Sequence, residues 1–170
     1  MDLKNLVRSI PDFPKPGIIF RDITTVLKDP HGLKAAIDMM ADKLNGVPFD
    51  LVVGPESRGF IFGVPIAHML GKGFVPARKA GKLPAETAAM EYALEYGTAE
   101  IEIHRDAIKN GQRVVIIDDL LATGGTAEAV ARLIKDMGGS VAAMVFFIEL
   151  EALGGRKLLD GYNVHTVLGY

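Results

Sequence analysis

Two adjacent aspartates and the loop of small residues after them carry the clearest chemical signal in the sequence. Asp118 and Asp119 come directly after the apolar run Val114–Ile117. Beyond two leucines, the loop consists of Ala122, Thr123, Gly124, Gly125 and Thr126. Two acids, two glycines and two threonines within the nine residues 118–126 exceed what a tight turn needs. The stretch is therefore interpreted as a ligand site, and a solvated strand–helix turn is the alternative.

The loop and the acids suit different parts of one ligand. Gly124 and Gly125 let a ligand approach the main chain. The first N–H groups of a following helix have no intrahelical partners and lie at the positive end of its dipole, which favours a phosphate. Asp118 and Asp119 would repel a phosphate, so they suit sugar hydroxyls, a cation, or both. A phosphate cradle beside two hydroxyl acceptors describes a 5-phosphoribosyl group.

The elements around this loop predict a parallel α/β sheet flanked by helices. A continuous apolar run such as Val114–Ile117 is typical of a strand covered on both faces. Ala127–Met137 is predicted to form a helix that Gly138 and Gly139 end. Ligands of such sheets bind at the carboxyl ends of the strands, which is where the aspartates fall.

Composition limits the function classes. The chain has 170 residues, which suggests one domain. A net charge of −2 argues against a general nucleic-acid binder. Without cysteine there can be no disulfide or thiolate chemistry, which fits a reducing cytosol. We find no signal-peptide core and no apolar stretch long enough to span a membrane. The histidines show no metal-ligand spacing, so no metal-binding residues are predicted.

A second strand–turn–helix unit begins with the predicted strand Phe49–Gly54. Its turn contains Glu56, Ser57 and Arg58, and a helix is expected to run to Leu70. An arginine at a helix start is electrostatically unfavourable, which suggests that the charge serves an anion. Pyrophosphate is the natural candidate because arginine can bind two phosphate oxygens at once. A plain surface arginine is the alternative.

A basic segment follows the short strand predicted for Gly73–Ala77. Arg78, Lys79 and Lys82 are three cations within five positions, near glycine and proline, and predict a mobile basic loop. Such a charge run is either a solvated face or a means of neutralising the charge that develops on a leaving group.

The N-terminal segment is predicted to be a short helix, Asp2–Ile10, followed by a proline-rich arm. The apolar strip after the arm could hold a planar base, with Phe20 stacking on the ring, although local evidence alone favours Phe20 as a core residue. Farther along, residues 91–97 and 99–104 alternate like a hairpin. From the pattern alone, its acids Glu91, Glu95, Glu100 and Glu102 cannot be told apart as a general base.

The remaining predicted elements are structural. A helix is expected over Leu33–Leu44, a buried strand over Ser140–Leu150 and an edge strand over Asn163–Gly169. The short element Leu153–Leu159 is expected to present Arg156 and Lys157 on a solvated face.

The run VVIIDDLLATGGT resembles the signature of the phosphoribosyltransferases, which bind phosphoribosyl pyrophosphate (PRPP) there. The resemblance implies that Asp118 and Asp119 contact the ribose 2′ and 3′ hydroxyls and that residues 122–126 hold the 5′-phosphate. The run E-S-R-G-F is similar to the family's pyrophosphate loop, often with a cis peptide, which would fall at Glu56–Ser57. Pyrophosphate binding is thus implied for six residues: Glu56, Ser57, Arg58, Arg78, Lys79 and Lys82. Arg78 could serve the neighbouring subunit.

Two further motifs resemble the adenine-specific branch of that family. The segment F-P-x-P-G-I-x-F-R-D-I-T is similar to its base-binding segment, which implies adenine contacts at Ile19, Phe20 and Arg21. Backbone groups there can tell the amino group of adenine from the carbonyl of a 6-oxopurine. The run L-E-Y-G is similar to its lid motif, which implies that Glu95 takes the proton from the base.

The resemblance also implies an architecture and a reaction. The expected fold is the type I phosphoribosyltransferase fold in one domain, 1–170, with a hood (1–30), a flexible lid hairpin (78–104) and a PRPP-binding unit (114–138). The expected reaction is adenine + PRPP → AMP + pyrophosphate, with Mg²⁺ delivered by PRPP, in a cytoplasmic homodimer. The alternatives are transfer to another purine (xanthine, hypoxanthine or guanine) and a PRPP-sensing regulator without catalysis.

Overall fold

A two-stranded ribbon characterises the N-terminal part of the computed structural model, which describes residues 2–94 and 96–170. The chain divides between Met39 and Met40 into two compact units. The elements of the N-terminal stretch are β1 (Arg8–Ile10), β2 (Phe20–Asp22), α1 (Thr24–Leu27) and α2 (Pro30–Asp42). β1 and β2 pair in antiparallel register.

The predicted helix Asp2–Ile10 is wrong. Leu3–Asn5 forms a single 3₁₀ turn, and Arg8–Ile10 is strand β1. A helix of nine residues is marginal without tertiary support. Here the competing pairing places Arg8 opposite Asp22, where the two side chains form an ion pair. A long-range charge pair of this kind leaves no periodic trace in the sequence.

A seven-stranded sheet forms the second unit, with strand order β5-β6-β4-β3-β7-β8-β9. Its strands are β3 (Leu51–Pro55), β4 (Gly73–Lys79), β5 (Thr87–Ala93), β6 (Thr98–His104), β7 (Arg113–Leu121), β8 (Ser140–Glu149) and β9 (Val164–Gly169). The five strands β4, β3, β7, β8 and β9 are parallel, and the hairpin β5–β6 joins β4 in antiparallel register.

Helices pack against this sheet and confirm the predicted fold class. They are α3 (Arg58–Met69), α4 (Gly125–Asp136) and the short α5 (Gly155–Leu158), which follows a 3₁₀ turn at Glu151–Leu153. Val114–Ile117 are fully buried. Ile116 shares a core cluster with Val130 of α4, whereas Phe62 of α3 packs against Phe147 of β8 at 5.3 Å between ring centroids. No helix among the described residues has the length and apolar character needed to cross a membrane.

The basic segment is shorter as a loop than predicted. β4 continues through Arg78 and Lys79, which pair with Glu102 and Ile101 of β6. The prediction ended the strand before Arg78, because the sequence there shows a run of charges and no alternation of buried and exposed residues. A hairpin is present as predicted, but its first strand covers Thr87–Ala93 rather than residues 91–97.

Candidate active site

The two strand–turn–helix units converge on one cavity of about 250 Å³. β3 and β7 are adjacent parallel strands, so the turns at their carboxyl ends lie side by side. The cavity is lined by Pro55, Glu56, Ser57, Arg58, Phe146 and the stretch from Asp118 to Ala127. The site predicted at the carboxyl edge of the sheet is thus assembled from both turns.

The loop after β7 has the geometry of an anion site. Gly124 is the N-cap of α4 and has φ +86°, a left-handed conformation that glycine adopts without steric cost. α4 therefore begins at Gly125, two residues before the predicted start. The N–H groups of its first turn lack intrahelical acceptors and line the cavity with the hydroxyl-bearing Thr123 and Thr126.

The aspartate pair is held in an environment that opposes ionisation. Asp119 is only 5% exposed, and its backbone N–H donates to Oδ1 of Asp118 at 2.8 Å. Burial and the neighbouring Asp119 charge raise the pKa of Asp118 well above the usual value. Burial also raises the pKa of Asp119, against the opposing effect of Arg58. Perturbed carboxyl groups in a cleft are characteristic of functional sites.

Arg58 connects the two turns. It is the first residue of α3, and its Nε lies 3.0 Å from Oδ2 of Asp119. The buried carboxylate compensates for the unfavourable placement of a cation at a helix start. The Arg58 side chain is still 43% exposed, so part of the guanidinium remains accessible from the cavity side.

Glu56 organises the basic residues at the end of β4. Its Oε1 accepts a hydrogen bond from the Lys79 N–H at 2.6 Å, and its Oε2 lies 3.4 Å from Nη2 of Arg78. Arg78 also donates to the Lys82 carbonyl at 3.4 Å. Burial raises the pKa of Glu56, but these donors outweigh it and the pKa lies below its usual value. The cis peptide predicted at Glu56–Ser57 is present.

The predicted adenine residues lie in the N-terminal unit. Phe20 is half-buried on β2, with its ring 5.3 Å from that of Phe13 in an edge-to-face contact. Ile19 is 51% exposed, and Arg21 donates to Oγ of Ser9. Their contacts with a base remain predictions. Glu95, the predicted general base, lies outside the described residues.

The sequence analysis did not predict a polar network beside the loop that follows β7. Arg156, expected on a solvated face, forms a two-point ion pair with the buried Glu149 at the end of β8. Gly155, the preceding residue, packs against the backbone of Ala122 and Thr123. The available signal was Glu149 itself, since a carboxylate that ends a buried apolar strand requires a cationic partner.

Comparison with known proteins places the chain in a family. Residues 22–166 match the family described as phosphoribosyl transferase domain. The chain is 63% identical over 168 residues to adenine phosphoribosyltransferase of Lachnoclostridium phytofermentans, covering 99% of this chain and 97% of the relative. It is 58% identical over 170 residues to that of Thermotoga neapolitana, covering all of both chains.

Solved structures give the same result. The crystal structure of adenine phosphoribosyltransferase from Thermoanaerobacter pseudethanolicus is 56% identical with a TM-score of 0.97, covering 99% of this chain and 98% of that one. The Saccharomyces cerevisiae enzyme, complexed with an imino-altritol bisphosphate and adenine, is 40% identical with a TM-score of 0.91, covering 97% and 96%. With full-length sequence identity, a matching fold and the assembled Asp-Asp and T-G-G-T cavity, the chain belongs to the adenine phosphoribosyltransferase family.

Proposed function

We propose that the protein transfers the 5-phosphoribosyl group of PRPP to N9 of adenine, giving AMP and pyrophosphate in purine salvage. The observation that carries the proposal is the cavity itself. It joins a phosphate-type helix N-terminus, a buried aspartate pair and an arginine at the carboxyl edge of adjacent parallel strands. Those are the groups that a 5′-phosphate, a ribose and a pyrophosphate require.

Positioning is the first contribution of the chain to the reaction. Residues 122–126 hold the 5′-phosphate through backbone N–H groups and threonine hydroxyls, while Asp118 and Asp119 accept hydrogen bonds from the ribose hydroxyls. Two fixed ends of the sugar leave the anomeric carbon in one orientation toward the incoming base. Such orientation can supply a large part of a rate enhancement.

Charge neutralisation is the second contribution. Arg58, Arg78, Lys79 and Lys82 bind the pyrophosphate as the bond to the anomeric carbon breaks and negative charge develops on the leaving group. Glu56 holds Arg78 and the Lys79 backbone in place through the hydrogen bonds described above, which gives this acid a function beside an anionic ligand. Ser57 adds a hydroxyl at the same turn.

Base recognition and proton removal complete the scheme. Backbone groups at Ile19 and Arg21 read the edge of adenine, and Phe20 stacks on its ring. Glu95 takes the proton from the imidazole ring of the base as N9 bonds to the anomeric carbon. The yeast relative that was crystallised with adenine supports this choice of base.

The donor groups fit a magnesium ion that arrives with PRPP. Among residues 2–94 and 96–170, no three His, Cys, Asp or Glu side chains cluster closely enough to hold a metal. Asp119 pairs with Arg58 and Glu56 pairs with Arg78. Among the described residues, this leaves Asp118, whose Oδ1 accepts the Asp119 N–H, as the cavity-lining carboxyl group without a salt bridge. When bound, Mg²⁺ shields the pyrophosphate charge.

The protein is proposed to act as a homodimer in the cytoplasm. Light scattering after gel filtration should give twice the chain mass of 18.3 kDa. A monomeric mass with full activity would refute the dimer without affecting the proposed reaction.

An absorbance assay with Mg²⁺, PRPP and each purine in turn tests the reaction. Turnover of adenine alone, with AMP and pyrophosphate as products, is expected. Turnover of a 6-oxopurine would keep the PRPP site and overturn the assignment of residues 19–21. PRPP binding without turnover of any base would favour the PRPP-sensing regulator.

A further inference from the structure

The phosphate-binding loop packs against Gly155, a residue outside the signature motif. A Cβ atom added to Gly155 would overlap the carbonyl oxygen of Ala122 and lie 3.0 Å from the carbonyl carbon of Thr123. The contact is reciprocal, because a Cβ on Gly124 would lie 2.8 Å from the carbonyl oxygen of Gly155. Two backbone segments therefore touch directly, with no side chain between them.

The neighbour of this glycine is fixed by a dense polar network. Arg156 donates from Nε to Oε1 of Glu149 at 3.1 Å and from Nη2 to Oε2 at 2.6 Å. It also donates from Nη1 to the Val164 carbonyl at 2.9 Å. Thr166 closes the network by donating to Glu149 at 3.1 Å. One arginine thus ties α5 to strands β8 and β9.

The burial of Glu149 makes this network more than a surface ion pair. The Glu149 side chain is 11% exposed, whereas exposed pairs contribute little because solvent screens them. The hydrogen bonds from Arg156, opposed by burial, lower the pKa of Glu149, so the carboxylate stays ionised. An ionised, buried carboxylate with a two-point partner has a sharply defined geometry.

We propose that Glu149, Arg156 and Gly155 form a clamp that positions the 5′-phosphate loop from the side that faces α5. Glu149 and Arg156 hold α5 on the sheet, and Gly155 then sets the position of Ala122 and Thr123. None of the three carries the reaction, so they are positioning residues. The inference rests on the proposed function, because it assigns the loop to the 5′-phosphate.

The clamp has a specific kinetic signature. Only ligands with a 5′-phosphate meet the loop, so weakening the clamp should raise the KM of PRPP and of AMP. The KM of adenine and the inhibition constant of pyrophosphate should stay near wild type. Because the 5′-phosphate is bound similarly in the ground and transition states, kcat should change little.

Glu149→Gln is the cleanest variant. It keeps the side-chain shape and leaves only the half-exposed Arg156 without its partner, whereas Arg156→Met would strand a buried charge. We expect a rise of about tenfold in the KM of PRPP, which corresponds to a loss of about 1.4 kcal/mol in binding free energy. Arg156→Lys keeps the charge but loses the two-point geometry. Its KM for PRPP should lie between those of Glu149→Gln and wild type. Gly155→Ala should have the largest effect.

Asp50→Asn is the matched control. Asp50 and Arg113 form the same two-point pair, at 3.0 and 3.2 Å, but at the start of β7 rather than beside the loop. Removing that pair should leave the KM of PRPP unchanged. Equal KM shifts in Glu149→Gln and Asp50→Asn would overturn the clamp. So would parallel rises in the KM of adenine and PRPP that follow a lowered Tm.

Thermal shift by PRPP separates this inference from the proposed function. The rise in Tm that PRPP produces needs no turnover, and it should be smaller in Glu149→Gln than in Asp50→Asn. If wild type turned over no purine, the proposed function would fall while this comparison still decided the clamp. Should Gly155→Ala fail to fold, the Glu149 and Arg156 variants decide alone.

Discussion

Nε of Arg58 lies 3.0 Å from Oδ2 of Asp119. The first residue of α3 is therefore paired with the second of the two aspartates on β7. The contact joins the turn proposed for pyrophosphate to the pair proposed for ribose. Arg58 also opposes the rise in the pKa of Asp119, in addition to the cation that it is proposed to offer to the pyrophosphate.

Arg58→Ala should weaken pyrophosphate binding by roughly 1.5–3 kcal/mol, the range for hydrogen bonds to charged groups. The inhibition constant of pyrophosphate against PRPP measures this directly. Arg105→Ala is the control, because Arg105 pairs with the exposed Glu86 away from the cavity-lining residues. Identical inhibition constants in the two variants would argue against the assignment of Arg58.

The KM of PRPP should rise as the pH falls, and the rise should begin above the usual aspartate pKa of 3.8. Burial, with the neighbouring charge, raises the pKa of Asp118, so this carboxyl binds its proton earlier than an exposed one. A protonated pair is a poorer acceptor for the ribose hydroxyls. The Asp118→Asn, Asp119→Asn double variant should lose the inflection, because the pKa of Asp119 is raised as well. Asp50→Asn should keep it, since hydrogen bonds from Arg113 lower the pKa of Asp50 to about 2. A flat profile in wild type would contradict the ribose role.

Glu95→Gln should lower kcat by about 10²–10⁴-fold if Glu95 is the general base. The amide keeps the size of the side chain but cannot take the proton from the base. Glu91→Gln is the control on the same hairpin, where the side chain is exposed. The pH profile of kcat should lose its acidic limb in Glu95→Gln only, and equal losses in both variants would point to a general effect on the hairpin.

Asp22→Asn should lower the free energy of unfolding by about 1.5–3 kcal/mol at neutral pH. The Thr24 N–H and the Arg8 guanidinium lower the pKa of Asp22 to about 2. A lowered pKa stabilises the fold above pH 3.8, and this contribution is lost as the pH falls toward 2. Denaturant titrations at several pH values should show this acid loss in wild type and a smaller one in the variant. Asp38→Asn, in an exposed pair with Lys34, should change little.

Much of the site was predictable because its signals are local. The run from Val114 to Thr126 contains its own strand, turn and helix start, and the structure has them in the predicted order. The bounds differ, because β7 continues through both aspartates to Leu121 and α4 begins at Gly125. Gly124 could also be anticipated, since a left-handed residue before a helix favours glycine. The turn at Glu56–Arg58 could be predicted from local signals in the same way. The two turns are adjacent because the strands before them are parallel.

The main failures are contacts that no local sequence pattern indicates. Arg8 pairs with Asp22 across the ribbon, which converts a predicted helix into a strand. Arg78 and Lys79 extend β4 because β6 supplies a partner strand. Arg156 looked like one charge in a solvated run, and only the fold brings it to Glu149. Charge pairs of this kind have no periodicity, so patterns along one sequence cannot locate them.

Steady-state kinetics of the Asp118→Asn, Asp119→Asn double variant test whether these two aspartates bind the ribose of PRPP. Burial opposes ionisation of Asp118, so its replacement by a neutral amide should leave the Tm of the ligand-free protein at or above wild type. We expect a well-folded variant with a raised KM for PRPP and a lowered kcat. A folded variant with wild-type KM and kcat would contradict it.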